Sequence, residues 1–276
     1  MNAEHIQSKF TAMGARLKVR EFQPGWNRWN GRWNDATDYA IDIQRDRQGE
    51  FFELRVPVPL RDKLEPLVLQ AEPEARHLLL LVRKTEGKTQ NDRFLCGHDE
   101  REWFVAAVPG GASSVRQAMN ALQPVEVRDA LARQPVSSRK RHARKNRAFR
   151  RQGEWFFVPE PELVVNDKLV LRHEPLRRGS GKPHLVEYVF RSGGETVHVC
   201  SRHPNGLIEA EHRALLQRQP QAARWGWRMM RRNAGVYARG TVRHADHAVI
   251  TLPFWHRVVM NTETQTRTMA NVAFLD

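Results

Sequence analysis

The sequence lacks several features that would identify a compartment or a fold. Its two cysteines, Cys96 and Cys200, are too few for the disulfide framework of a small secreted domain. The longest aliphatic run, 78–82, is far too short to cross a bilayer, and residues 1–10 have no apolar segment of the signal-peptide kind. We therefore expect a cytoplasmic protein without a membrane partner.

Common catalytic and binding motifs are also missing. There is no Gly-rich phosphate loop, no serine nucleophile elbow and no zinc-finger spacing, which argues against an NTPase, an acyl hydrolase and a finger protein. Cys96 with His98 and Cys200 with His203 could in principle supply four zinc ligands. Each cysteine ends an apolar stretch, however, where a buried free thiol is common.

Acidic residues are scarce relative to basic ones. The 276 residues include 45 Lys and Arg against 31 Asp and Glu, a formal net charge of +14. A surplus of this size attracts polyanions and speeds encounter with them. We expect a nucleic-acid partner, RNA or single-stranded DNA, and the alternative is a basic surface without a ligand.

Short apolar stretches between turns predict the fold. The spacing of three and four residues that is typical of a helix occurs at Ile6, Phe10, Met13 and Leu17. Most of the remaining chain consists of short strand-like apolar segments separated by turn residues. The pattern predicts an α+β protein with two β-rich domains, antiparallel meanders and a few helices, the second domain barrel-like.

The predicted boundaries follow changes in composition. We expect an α+β domain with a β-meander at 1–136, a basic linker or arm at 137–152 and a β-barrel-like domain at 153–276. Within the last domain we predict a hairpin that turns at Gly193-Gly194 and a helical insert at 207–232.

A dense run of positive charge lies in the middle of the chain. Residues 139–151 include eight Lys or Arg and no carboxylate. Like charges this close repel each other unless a polyanion neutralises them. We predict phosphate contacts without base specificity, and a charged interdomain linker is the alternative. The predicted contact residues are Arg139, Lys140, Arg141, Arg144, Lys145, Arg147, Arg150 and Arg151.

Tryptophan interleaved with arginine marks two further surfaces. Trp26, Trp29 and Trp33 would share one face of a helix, where indoles suit the stacking of unpaired bases. Packing against a core is the alternative, and the nearby glycines also allow a loop. The second surface is a basic face beside Trp225 and Trp227 that consists of Arg224, Arg228, Arg231 and Arg232.

Histidines are frequent in the second half of the chain. His184 and Glu187 lie on one predicted strand, and His247 and His256 lie on the last predicted hairpin, close to His244. Imidazoles and a carboxylate that converge inside a small barrel suit Zn, Mn or Fe. We predict His184, Glu187, His247 and His256 as ligands of a divalent metal. Hydrogen bonding of these histidines in a polar barrel mouth is the alternative, in which case no cofactor is implied.

The order of short motifs over residues 148–262 resembles a group of small bacterial and phage proteins. Those proteins open with an Arg-Gln-Gly-Asp strand, carry a Gly-His step and close with His-x-x-His and a Leu-Pro turn. The matching positions here are Arg151-Gln152-Gly153-Glu154, His184 after Gly181, His244-x-x-His247 and Leu252-Pro253. Glu154 replaces the Asp, and Phe254 stands where a Gly is expected. The resemblance implies a compact β-barrel-like domain and no settled activity.

These features together predict a nucleic-acid-binding protein. One alternative is a metal-dependent nuclease or phosphoesterase, to which the basic surface delivers substrate. Another is a protein-binding subunit of a ribonucleoprotein or defence complex, which alone would bind nucleic acid poorly.

Overall fold

The computed structural model describes residues 3–27, 32–34, 38–85, 87, 89–178 and 182–263, with the backbone only at 3, 26–27 and 32–34. The described residues divide into two compact units, one of residues 3–123 with 262–263 and one of residues 124–261. Both are rich in antiparallel strands with few helices, so the α+β prediction is confirmed. No described helix is long and apolar enough to span a membrane.

The first unit combines an antiparallel meander with a smaller sheet. Strands β6, β7, β8 and β9 pair in that order, while β1, β5 and β4 form a sheet in which β1 is parallel to β5. Its elements are α1 (Ala3–Ala12), β1 (Leu17–Phe22), β2 (Gly25–Asn27), β3 (Arg32–Asn34), β4 (Ala40–Asp46), β5 (Gly49–Pro57), β6 (Leu64–Glu72), β7 (His77–Lys84), β8 (Gln90–Asp99), β9 (Glu102–Ala107) and α2 (Val115–Ala121).

Strand β7 is buried on both faces. Leu78 and Leu80 belong to one apolar cluster with Phe10 of α1, and Leu79 belongs to another with Val115 of α2. A strand covered on both sides is a continuous apolar run rather than an alternating one. This explains the aliphatic run at 78–82.

Two predictions about the N-terminal region are wrong. α1 ends at Ala12 and Leu17 begins β1, because Gly14 at φ +80° stops the helix. The predicted helical tryptophan face is not formed, because β2 and β3 pair as strands with Trp26 opposite Trp33. Trp29 and the side chains of Trp26 and Trp33 lie outside the described residues.

The second unit contains a six-stranded sheet and a three-stranded sheet. The strand orders are β10-β11-β18-β17-β13-β12 and β15-β14-β16. The described strands do not form a closed barrel, so the barrel-like detail is not confirmed. The elements are α3 (Val125–Arg133), β10 (Arg150–Gln152), β11 (Trp155–Pro159), β12 (Leu171–Leu176), β13 (His184–Ser192), β14 (Glu195–Cys200), β15 (His203–Ile208), α4 (Glu209–Arg218), β16 (Arg228–Arg232), β17 (Gly235–Arg243) and β18 (Ile250–Met260).

The six-stranded sheet has an apolar layer on each face. Trp155 and Phe157 of β11 point into a cluster with side chains of β13, β17 and β18. Phe156 and Val158 point to the other face, where they pack against α3 and Phe149. The period of two along β11 therefore places consecutive side chains in different cores.

The path through Gly193-Gly194 differs from the predicted hairpin. β13 pairs with β12 and β17, and β14 pairs with β15 and β16, so β14 continues beyond β13 instead of folding back on it. The predicted helical insert is also shorter: α4 ends at Arg218, and residues 228–232 form a strand. Gly226, at φ +70°, lies between the end of α4 and this strand.

Candidate nucleic-acid interface and histidine cluster

The basic segment, residues 139–151, has a defined fold within the second unit. It starts in a short 3-10 turn at Ser138–Lys140, and the backbone N–H of Arg151 donates to the carbonyl of Arg144 at 2.7 Å. Lys145 and Arg150 form an isolated β-bridge. The segment is therefore a closed loop that leads directly into β10.

Asn146 organises this loop. Its Oδ1 accepts the backbone N–H groups of Ala148 at 2.8 Å and Phe149 at 3.0 Å. Its Nδ2 donates to the carbonyl of Lys140 at 3.1 Å. One amide side chain thus fixes both ends of the turn, which is the usual role of Asn in tight loops.

Phe149 anchors the loop to the sheet. Its side chain is 1% exposed and packs edge-to-face on Phe156, with ring centroids 5.2 Å apart. Burial of such a ring contributes about 1.5–3 kcal/mol. The apolar pair Ala148-Phe149, which interrupts the run of cations, is therefore the part of the loop that packs against the sheet.

The charges of the loop face solvent. Arg144, Arg150 and Arg151 are half-buried, and the other five cations are exposed. Within the described part of the chain, Arg139, Lys140, Lys145 and Arg147 form no ion pair. Their charge is therefore available to a polyanion. The exposed cations are Arg139, Lys140, Arg141, Lys145 and Arg147.

The second predicted basic face is partly neutralised. Arg232 forms an ion pair with Glu195 at 2.5 Å, and Arg231 donates to the carbonyl of Gly193 at 2.8 Å. Arg224 and Arg228 are exposed. The charge of this face is smaller than the count of arginines suggests.

The structure brings together two of the four predicted metal ligands. His184 and His247 lie beside His244, and one potential ligand atom from each lies within 4.8 Å of the others. Glu187 and His256 are outside this group. The histidine cluster, as used below, means His184, His244 and His247.

Glu187 is absent from the cluster because of strand geometry. The register between β13 and β17 shifts between Val186 and Tyr188, so the regular alternation of side chains is interrupted at Glu187, and its carboxylate is held by Thr241 of β17. Its Oε2 accepts the backbone N–H of Thr241 at 2.8 Å and the hydroxyl at 2.9 Å. The Thr241 donors lower the pKa of this carboxyl. Glu187 therefore stabilises the β13–β17 pairing at this register shift.

His256 is absent because of distance along the hairpin. His256 is paired with Ala238 of β17. Ala238 precedes His244 by six residues, which at about 3.3 Å per residue separates the two positions by roughly 20 Å along the chain. The ring is 1% exposed, and its Nδ1 bonds the carbonyl of Phe254 at 2.8 Å. Burial lowers its pKa.

Gln152 determines the tautomer of His184. The amide is 1% exposed, and its Nε2 donates to the carbonyls of Val242 at 3.3 Å and Ala248 at 2.7 Å. Its Oε1 must therefore accept, and it lies 2.9 Å from His184 Nδ1. Nδ1 carries the proton, so the lone pair is on Nε2, the arrangement that second-shell partners impose on metal-binding histidines.

Charged groups lie beside the histidine cluster. Glu154 Oε2 lies 3.7 Å from His184 Nε2. Burial raises the pKa of Glu154, but the cation that His184 forms when Nε2 also takes up a proton, together with a backbone N–H, outweighs this and holds the pKa below its usual value. Lys182 Nζ pairs with Asp246 at 2.7 Å. Burial, with the charges of the other two rings, lowers the pKa of His244.

The cluster could hold a metal ion, but not with its rings as they stand. The rings of His184 and His244 are stacked, with centroids 4.2 Å apart and planes 22° apart. An ion lies in the plane of each imidazole that binds it, and nearly parallel stacked planes share no such point. Tetrahedral zinc also needs ligand atoms about 3.3 Å apart. Binding would require one ring to turn and the cluster to contract.

Two members of this site were not among the predicted ligands. His244 belongs to the His-x-x-His motif and follows β17 directly, and Gln152 lies next to Gly153 in the Arg-Gln-Gly-Glu motif. Gly153 has φ +58°, and a Cβ there would lie 2.9 Å from His247 Nε2. The motif order was thus the signal that a close-packed polar site exists here.

Comparison with protein families, curated proteins and solved structures gave no match for this chain.

Proposed function

We propose that the protein binds nucleic acid through the basic segment, residues 139–151. The observation that carries the proposal is the folded loop itself: Asn146 and Phe149 fix its backbone while its cations stay exposed. A preordered loop loses less conformational entropy on binding than a flexible linker would.

The chemistry of the segment favours phosphate over base recognition. Eight cations occur within thirteen residues without a carboxylate. Neutralising phosphates with such a segment releases condensed counterions, which supplies binding free energy that does not depend on sequence. We infer a partner that is a nucleic-acid backbone, with RNA or single-stranded DNA as the expected form.

Lysine footprinting tests where nucleic acid binds. Lys140 and Lys145 lie in the segment, and the exposed Lys9 and Lys168 serve as internal controls. Acetylation in the presence of a single-stranded oligonucleotide should slow at Lys140 and Lys145 and continue at the controls. Equal labelling of all four lysines with and without oligonucleotide would contradict the assignment.

A metal-dependent phosphoesterase is a second candidate function. The supporting observation is that Gln152 directs His184 Nε2 into a cluster that lies at the end of the basic segment. A zinc-class ion there would be held by His184 together with His244 and His247, and it would supply Lewis-acid activation of a phosphodiester or water. The basic segment would then position the substrate backbone.

Metal analysis and hydrolysis assays test this candidate. The purified chain and a His184→Gln variant are assayed on a labelled oligonucleotide and on a nitrophenyl phosphodiester, with Zn²⁺ or Mn²⁺ added. Metal-stimulated hydrolysis that disappears in the variant supports the enzyme. Hydrolysis that is absent, or unchanged in the variant, removes it while leaving nucleic-acid binding untouched.

A further inference from the structure

Residues 195–232, which we call the ribbon module, extend the main sheet of the second unit. Ser192 of β13 is opposite Gly235 of β17, and Glu195 of β14 is opposite Arg232 of β16. The two antiparallel pairs are thus consecutive parts of one ribbon. β15 and α4 fold against its far end.

The module has almost no aliphatic core. The module is described in full, and none of its residues belongs to any of the four apolar clusters found among the described residues. Its buried apolar side chains are Val197, Cys200 and Ala222. Folded pieces of about 40 residues or fewer usually need a disulfide, a metal or a partner. Both cysteines are free, so a disulfide does not provide this.

Aromatic and imidazole rings occupy the place of that core. His198 of β14 stacks on His212 of α4, with centroids 4.0 Å apart, and His212 packs edge-on against Trp227 at 4.5 Å. The indole Nε1 of Trp227 donates to the carbonyl of Ala222 at 2.8 Å. The contact between α4 and the ribbon therefore depends on polar rings.

We propose that His198, Glu209 and His212 bind a divalent transition-metal ion of the zinc class that fastens α4 to β14. Potential ligand atoms of the three residues lie within 4.8 Å of one another. Glu209 and His212 are three residues apart at the start of α4 and so share one helix face. Two imidazoles and a carboxylate are a common zinc ligand set.

A second observation points to a missing partner at this position. His212 Nε2 is buried from solvent and has no hydrogen-bond partner in the described part of the chain. Buried polar atoms without a partner are rare in folded proteins and call for an explanation such as an ion or a water. A metal ligated by this atom satisfies it.

The other two ligands already face each other, and metal binding would displace the proton between them and separate their ligand atoms to about 3.3 Å. Glu209 Oε2 lies 2.7 Å from His198 Nε2, while Glu209 Oε1 accepts from Arg213 at 3.1 Å, so Oε2 faces the histidines. The rings of His198 and His212 are 14° from parallel, so one must turn to bring the ion into both planes. Three protein ligands leave the fourth zinc position to water.

This inference does not depend on nucleic-acid binding or on the histidine cluster. The test therefore uses the full-length chain with His184→Gln and His247→Gln, which disables that cluster. In this background, Zn²⁺ affinity is measured by competition with a chromogenic chelator, and hydrogen exchange is followed over residues 195–232. We expect one bound zinc and slower exchange in the module when zinc is present.

Two further substitutions in the same background locate the ion. His212→Gln should weaken zinc binding by more than about 100-fold, because loss of a direct ligand exceeds the 10–100-fold effect of second-shell partners. His203→Gln is the matched control, since His203 belongs to the module but stacks on Trp225 and Trp227 outside the ligand group. It should retain zinc affinity within a few-fold.

Two results would overturn the proposal. One is a background protein that binds no zinc, or whose module exchanges at the same rate with and without zinc. The other is equal zinc affinity in the background protein and its His212→Gln derivative. Because exchange in the background protein is measured directly, a derivative that fails to fold does not remove the test.

Discussion

Neutralising part of the basic segment should reduce the salt dependence of nucleic-acid binding by a calculable amount. Arg139, Lys140, Lys145 and Arg147 are exposed and form no ion pair with described residues, so replacing all four by Gln removes charge with little effect on the fold. Each phosphate contact contributes about −0.7 to the slope of log K against log salt for single strands and about −0.9 for duplex. The variant's slope should therefore be shallower by about 2.8 or about 3.6. Between about 50 and about 200 mM salt, the four contacts account for a loss of affinity of roughly 50-fold for single strands.

Fluorescence anisotropy with a labelled oligonucleotide at several salt concentrations measures this slope. The matched control replaces four other exposed cations, which removes the same formal charge from surfaces outside the segment. It should keep the wild-type slope. If both variants lost the same amount of slope, net charge rather than this segment would explain binding. The control positions are Lys9, Arg116, Arg128 and Lys168.

Three further outcomes follow from the structure. Phe149→Ala should destabilise the second unit by about 3–5 kcal/mol in denaturant unfolding, because it leaves a cavity under the loop; a loss below about 1 kcal/mol would show that the ring is not an anchor. Gln152→Leu should lower metal affinity of the histidine cluster by about 10–100-fold in chelator competition, because His184 loses the acceptor that fixes its tautomer; unchanged affinity would exclude this role. The hydrogen bond from Arg16 lowers the pKa of Asp46, so the carboxylate stabilises the fold above its unfolded pKa of about 3.9, and this is lost as pH falls through the lower folded value. The melting temperatures of wild type and Asp46→Asn should therefore differ at neutral pH and converge in acid, and a constant difference would contradict the assignment.

The fold class could be predicted because local patterns agreed with the tertiary structure. The run at 78–82 indicated a buried strand, and β7 is covered on both faces. The charge of residues 139–151 is a property of composition and needs no structure. The fold of this segment was not predictable, because Asn146 and Phe149 act through contacts specific to the loop and to β11.

Several details depended on strand pairing that the sequence does not specify. Gly193-Gly194 is a strong hairpin signal, yet here it joins consecutive parts of one ribbon, because β17 and β16 supply the partners. The spacing of His184 and Glu187 suggested a shared site, but Glu187 lies at a register shift between β13 and β17 and its carboxylate binds Thr241. The tryptophan spacing suited a helix, whereas Trp26 and Trp33 occupy opposite strands of a hairpin.

The polar partners of the candidate site were the least predictable feature. Gln152 matters only because Val242 and Ala248 offer carbonyls to its amide nitrogen, and those residues are distant in sequence. Likewise, His198 meets Glu209 and His212 through the packing of α4 on β14. The Glu-x-x-His spacing at the start of α4 is the one local signal of that group.

Equilibrium binding of the wild-type chain in dilute buffer tests the central claim most directly. Labelled RNA, single-stranded DNA and duplex DNA are each titrated with pure protein, first at low salt and then with salt added. We expect binding at micromolar or lower protein concentrations, to single strands at least, that weakens steeply as salt rises. Failure to bind any of the three at low salt would contradict the account.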